Sequence, residues 1–112
     1  MGWFSGEFQA LSDRAPGDYE NVTVGAVAAG LTAAKVYPAT GPAQGTGARV
    51  ALVTGEGGDM RFRVDGGVPT ANSGHFLAGG DTLVIPGPQA LSQFRAIRSG
   101  DTDGVLRVTY FY

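Results

Sequence analysis

The chain has 112 residues, ten acidic against eight basic side chains for a net charge of −2, a hydrophobic share of 43%, nineteen glycines and no cysteine. A chain of that length builds one core with no room for a second, and its apolar share excludes global disorder. The missing cysteines exclude disulfides, thiolate metal sites and cysteine nucleophiles together, while arginines scattered without a basic run argue against nucleic acid as a partner.

The first stretch, "MGWFSGEFQALSDRAPGDYE", lacks a basic region followed by a continuous apolar run, so it does not read as a secretory leader. Trp3, Phe4 and Phe8 cluster there, and Phe4, Phe8 and Leu11 fall at i, i+4 and i+7, which suits one apolar side of a short helical turn. Ala15-Pro16-Gly17 ends any such turn. Residues 1–20 therefore read as an N-terminal arm that folds onto its own core or docks on a neighbouring subunit, with the β-domain occupying 21–112.

Within 21–39, Val22 and Val24 point to a strand, and Gly25 and Gly30 weaken the helix that the alanines invite. Two short strands, "NVTVGAV" and "TAAKVYP", are expected. The small-apolar run "VGAVAAGLTAAKV" is too short to span a bilayer, so no membrane partner is expected. A loop follows at 39–47. "ARVALVT" (48–54) and "MRFRV" (60–64) then read as strands joined by a Gly-rich hairpin loop, "GEGGD". Met60, Phe62 and Val64 alternate with Arg61 and Arg63, the mark of a half-buried strand.

"DTLVI" (81–85) is the next strand, stopped by Pro86-Gly87-Pro88. "QFRAIR" (93–98) alternates as well, and "VLRVTYFY" (105–112) places Leu106, Val108, Tyr110 and Tyr112 on one face. Short strands between frequent turn signals predict an all-β, single-domain antiparallel sandwich or small barrel with an irregular N-terminal arm.

Chemistry is sparse. His75 is the single histidine, and Asp65 or Asp81 would have to orient it as a general base. None of Ser5, Ser12, Ser73, Ser92 and Ser99 sits in a G-x-S-x-G elbow. Asp101-Thr102-Asp103-Gly104 opens like a calcium loop but runs straight into a strand, and one histidine without cysteine gives no zinc spacing. The glutamates Glu7, Glu20 and Glu56 single out no catalytic carboxylate pair. Gly-rich "TGEGGD" and "ATGPAQGTG" lead into no helix that would make them hold phosphate. The expectation is a protein that is not an enzyme and takes no cofactor or metal.

The stretch "RFRVDGGVPTANSGHFLAGGDTLVIPG", followed by "QFRAIRSGDTDGVLRVTY", resembles a group of small tailed-bacteriophage virion proteins. The likeness rests on Arg61, Arg63, Asp65, Gly66, Pro69, Thr70, Gly74, Leu77, Gly80, Asp81 and Leu83, then on Phe94, Ala96, Ile97, Arg98, Leu106, Val108 and Tyr110. It covers roughly the last 65 residues and leaves the first 45 without a counterpart. It implies a structural β-protein, most naturally a capsid decoration (cement) protein on the outer surface of the major capsid protein shell. Such a protein would be assembled in the host cytoplasm as a homo-oligomer, a trimer being favoured.

Under that reading the partner contacts are Trp3, Phe4, Phe8, Arg61, Arg63, Arg95 and Arg98. The alternatives are a head–tail connector or tail accessory protein, or a carbohydrate-binding sandwich using tyrosines such as Tyr19, Tyr37, Tyr110 and Tyr112.

Overall fold

A computed structural model describes residues 16–112. Its elements run β1 (Pro16–Val24), β2 (Ala29–Gly30), α1 (Ala33–Val36), β3 (Val50–Gly57), β4 (Met60–Arg63), β5 (His75–Leu77), β6 (Thr82–Pro86), α2 (Pro88–Gln93), β7 (Arg95–Arg98) and β8 (Gly104–Phe111). The strands form two four-stranded sheets, a large one in the order β1-β8-β3-β6 and a small one in the order β2-β7-β4-β5. Every pairing is antiparallel. The protein is an all-β sandwich.

The apolar alternation of β8 explains where the core lies. Leu106, Val108 and Tyr110 have no exposed surface, whereas Val105, Arg107 and Thr109 between them stay half-exposed. That inner face shares one core cluster with Met60 of β4, Ala96 of β7 and Phe94, and with Val24, Val53 and Leu91 among others. Burying side chains of this size contributes about 1.5–3 kcal/mol each.

Four expectations from the sequence are corrected here. Residues 16–20, expected in the arm, belong to β1, which pairs with β8 from Pro16↔Phe111 onward. Proline is tolerated there because β1 is an edge strand, and the register shifts between Pro16 and Asp18. Residues 1–15 lie outside the described residues, and with them Trp3, Phe4 and Phe8.

The expected strand "TAAKVYP" is instead α1, a single turn whose Val36 alone is buried. Ala33, Ala34 and Lys35 favour helix, and the segment has no alternation for a sheet to use. The expected hairpin at "GEGGD" does not exist, because β3 and β4 lie in different sheets. The chain crosses from one layer to the other at Gly58-Asp59. Finally, α2 stands where no helix was expected: Pro88 starts it, and Leu91 anchors it in the core.

The crossover is tight. Gly57 has φ +77°, and a Cβ on Gly58 would collide with the Thr102 carbonyl oxygen. A second constraint is polar. The Tyr110 hydroxyl, buried between the layers, donates to Glu20 of β1, which also accepts from the Thr32 hydroxyl at 2.6 Å and the Thr32 N–H at 3.1 Å. Burial and the facing Glu20 carboxyl push the Tyr110 phenol far above its ordinary range.

Two substitutions test these points by chemical denaturation. Gly58→Ala forces backbone to move and should cost about 1–3 kcal/mol, as overpacking usually does. Tyr110→Phe removes one donor from Glu20 and should cost about 1.5–3 kcal/mol, the range for a hydrogen bond to a carboxylate. An unchanged midpoint in either variant would show that the contact does not hold in solution.

Candidate functional site

Register decides which of the sequence-selected arginines meet. In the small sheet Arg61 stands opposite Phe76 on β5 and Ile97 on β7, and Arg63 stands opposite Arg95. Met60 and Ala96, the neighbours of these residues along their strands, are fully buried, so alternation turns Arg61, Arg63, Arg95, Ile97 and Phe76 to the outer face. Arg98 does not join them. It shares the inward parity of Ala96 and, at the strand end, reaches out to Asp103, with Nη1 to Oδ1 at 2.7 Å.

The three outer arginines differ in how their charge is held. Arg63 makes a two-pronged pair with Asp65, Nε to Oδ1 at 2.9 Å and Nη2 to Oδ2 at 2.6 Å. The Arg63 bond first, and the Gly67 N–H after it, bring Asp65 down to about 2. Arg61 has no carboxylate partner among the described residues. It donates through Nη1 to the Gly74 carbonyl at 3.2 Å, lies 5.0 Å over the half-exposed Phe76 ring, and buries Nε with no acceptor there. Among the described residues the Arg95 side chain donates only to the Phe94 carbonyl, at 3.1 Å. Two guanidinium groups are thus left with donors to spare, Arg61 over an aromatic ring that solvent reaches and Arg95 against Gly30 of β2 at the other edge of the sheet.

The corner that carries most of the resemblance is built by local needs. Asp65 accepts from Gly67 N–H at 3.1 Å, Gly66 has φ +86°, and Pro69 is fully buried. Thr70 and Ser73 bridge through their backbones. Asp81 does not pair with an arginine; its Oδ2 accepts the Ala78 N–H at 2.9 Å. Neither aspartate is placed to orient His75, whose ring instead packs against Phe62 with centroids 5.3 Å apart. Of the tyrosines considered as a sugar platform, Tyr110 is buried, while Tyr19 spends its hydroxyl on Asn21 at 2.7 Å.

The structure also gathers residues that the sequence reading took one turn at a time. The turns at 57–59, 78–81 and 99–103 meet at one end of the sandwich, tied by Gly79 N–H donating to Asp59, Ser99 N–H to the Asp59 carbonyl and Gly58 N–H to the Asp103 carbonyl. Asp59, Asp81 and Asp101 sit there with no basic partner among the described residues, and Asp103 is matched by Arg98. The 25–28 turn reaches the same end, because Arg98 N–H donates to the Gly25 carbonyl, and its Val27 is 82% exposed. At the opposite end a cleft of about 560 Å³ is lined by Pro16, Pro38, Pro42, Arg49 and Tyr112.

No protein-family model, curated protein or solved structure matches the chain.

The Arg63–Asp65 pair makes a pH prediction. Asp65 titrates at about 2 when folded against an ordinary 3.8, so the pair contributes stability that is present above pH 3.8 and lost as pH falls toward 2. An NMR titration of the carboxyl carbons should place Asp65 at about 2, and Arg63→Gln should return it toward 3.8. A wild-type value near 3.8 would mean that the pair is open in solution.

Proposed function

We propose that this chain is a non-enzymatic structural protein of a bacteriophage particle, a decoration protein that binds the outer surface of the major capsid protein shell. The observation that carries the reading is the outer face of the small sheet. Arg61 and Arg95 stand on that face without carboxylate partners among the described residues, Arg61 over Phe76, which is 50% exposed, and opposite Ile97. Aromatic and arginine side chains on a rigid backbone are the groups that dominate protein contacts. A shell repeats its surface many times, so a modest contact of this kind is multiplied if the decorating protein is itself oligomeric.

The second support is the likeness of residues 61–87 and 93–110 to small virion proteins, which brings the expectation of a particle rather than of a free partner. The absence of enzymatic activity is part of the same proposal. It draws on His75, Asp65 and Asp81 each being engaged separately, as a ring contact with Phe62, an ion pair and a turn cap.

Quantitative mass spectrometry of purified particles tests the proposal. A copy number of the same order as the major capsid protein is expected. A few copies per particle would replace decoration with a connector or tail position, and complete absence from particles would overturn the virion reading.

A further inference from the structure

Most charges of the described residues are matched locally: Lys35 with Asp18, Arg63 with Asp65, Arg98 with Asp103 and Arg107 with Glu56. Of the rest, Glu20 is held by Tyr110 and Thr32 and Arg49 lies in the cleft at the opposite end, while the other five fall by sign into separate places. Arg61 and Arg95 occupy the outer face of the small sheet, whereas Asp59, Asp81 and Asp101 occupy the end formed by the 57–59, 78–81 and 99–103 turns. Each place also carries exposed apolar surface. Phe76 and Ile97 lie opposite Arg61, and Val27 is exposed on the 25–28 turn, whose Gly25 approaches Asp103.

The aspartates are spare in the hydrogen-bonding sense too. Asp59 and Asp81 each spend one carboxylate oxygen on a backbone N–H, at 3.1 and 2.9 Å, and keep the other. The two surfaces are opposite in charge, and no ion pair joins them within one chain among the described residues.

We infer that the outer face of the small sheet binds the aspartate-rich end of a second copy of this chain, in a head-to-tail contact. The partner is fixed by complementarity: guanidinium groups want carboxylates, and a surface with three unmatched carboxylates is carried by the chain itself. A contact between two different patches leaves one free patch at each end of a pair, so association continues until a ring closes or a filament forms. A ring or short filament of this kind would form whether or not a shell is present, independently of the decoration reading.

The Arg49 cleft supplies the internal comparison. Arg49 has no carboxylate partner among the described residues either, but it lies at the end opposite those aspartates, in a cleft lined by prolines and by Asp18, which pairs with Lys35.

Light scattering coupled to size exclusion, on the full chain, reads the outcome directly. At about 100 µM protein and 50 mM salt the wild type should run as a multiple of the chain mass and move toward monomer at about 0.5 M salt, where surface charges are screened. Arg95→Glu alone and Asp101→Lys alone should each weaken association by about tenfold or more, with unchanged circular dichroism, while Arg49→Glu should not.

Mixing the two defective variants should restore the larger species. The altered face of the Arg95→Glu chain then meets the altered end of the Asp101→Lys chain, opposite charges again facing each other. The native face of the second chain likewise meets the native end of the first. A monomeric wild type at low salt, or no restoration on mixing, would overturn the inference. Dissociation by Arg49→Glu but not by Arg95→Glu would do the same, by moving the contact to the cleft. Failure to associate would leave the copy number in particles to be judged separately, so the two proposals fall independently.

Discussion

A phenol with no exposed surface needs an acceptor close by, and Tyr110 has one in Glu20. The same carboxyl takes both donors of Thr32, so one acidic group joins β8, β1 and the residue that opens α1. Glu20 faces inward because Val108, its partner across the pair, does. That fixes the register of an edge strand which is otherwise mostly exposed and would slip easily. β8 in turn pairs with β1 on one side and β3 on the other, so the large sheet depends on its last strand. Non-local closure of this sort predisposes the domain to fold slowly for its size.

The crossover at Gly58-Asp59 converts that arrangement into a charge pattern. A hairpin there would have left β4 beside β3 in one sheet. Moving β4 into the second layer gives it β7 and β5 as neighbours, which sets Arg61 against Ile97 and Phe76 on one outer face. The backbone contacts that allow the crossing, Gly58 against Thr102 and Gly79 against Gly57, draw three turns together. Each of those turns contains an aspartate, because aspartate caps turns well. Turn chemistry thus collects negative charge at one end, and strand pairing collects positive charge on one face.

Local pattern was enough for the strands whose two faces differ in polarity. Met60-Arg61-Phe62-Arg63 and the run from Leu106 to Tyr110 could be assigned by alternation alone, and the all-β class followed from them. Pairing was not readable, because nothing in "GEGGD" distinguishes a hairpin from an arch until the glycines are seen against backbone from 102–104 and 79. The helix α2 was hidden by "PGPQALSQF", where Pro88 serves as a start signal but reads equally as a break. Among the candidate contact residues, Arg61, Arg63 and Arg95 were brought together. Arg98 was separated by its parity within β7. Phe76 escaped notice because its neighbour Arg61 lies fifteen positions away, beyond a corner whose path only the folded chain defines.

The corner also separates two kinds of information that the sequence mixes. Asp65, Gly66, Pro69, Gly74 and Asp81 are each accounted for by a turn, a buried ring or a backbone cap. A protein could need all five with no partner at all, so a likeness resting on them speaks mainly for architecture. Phe76 and the free donors of Arg61 and Arg95 are different, since the fold gains little from exposing an aromatic ring or leaving a guanidinium nitrogen without an acceptor. Arg61 stands in both groups: one nitrogen secures the Gly74 carbonyl and so closes the corner, while the rest of the guanidinium lies over Phe76 on the open face. The side chain that bonds to the corner therefore also lies on the open face.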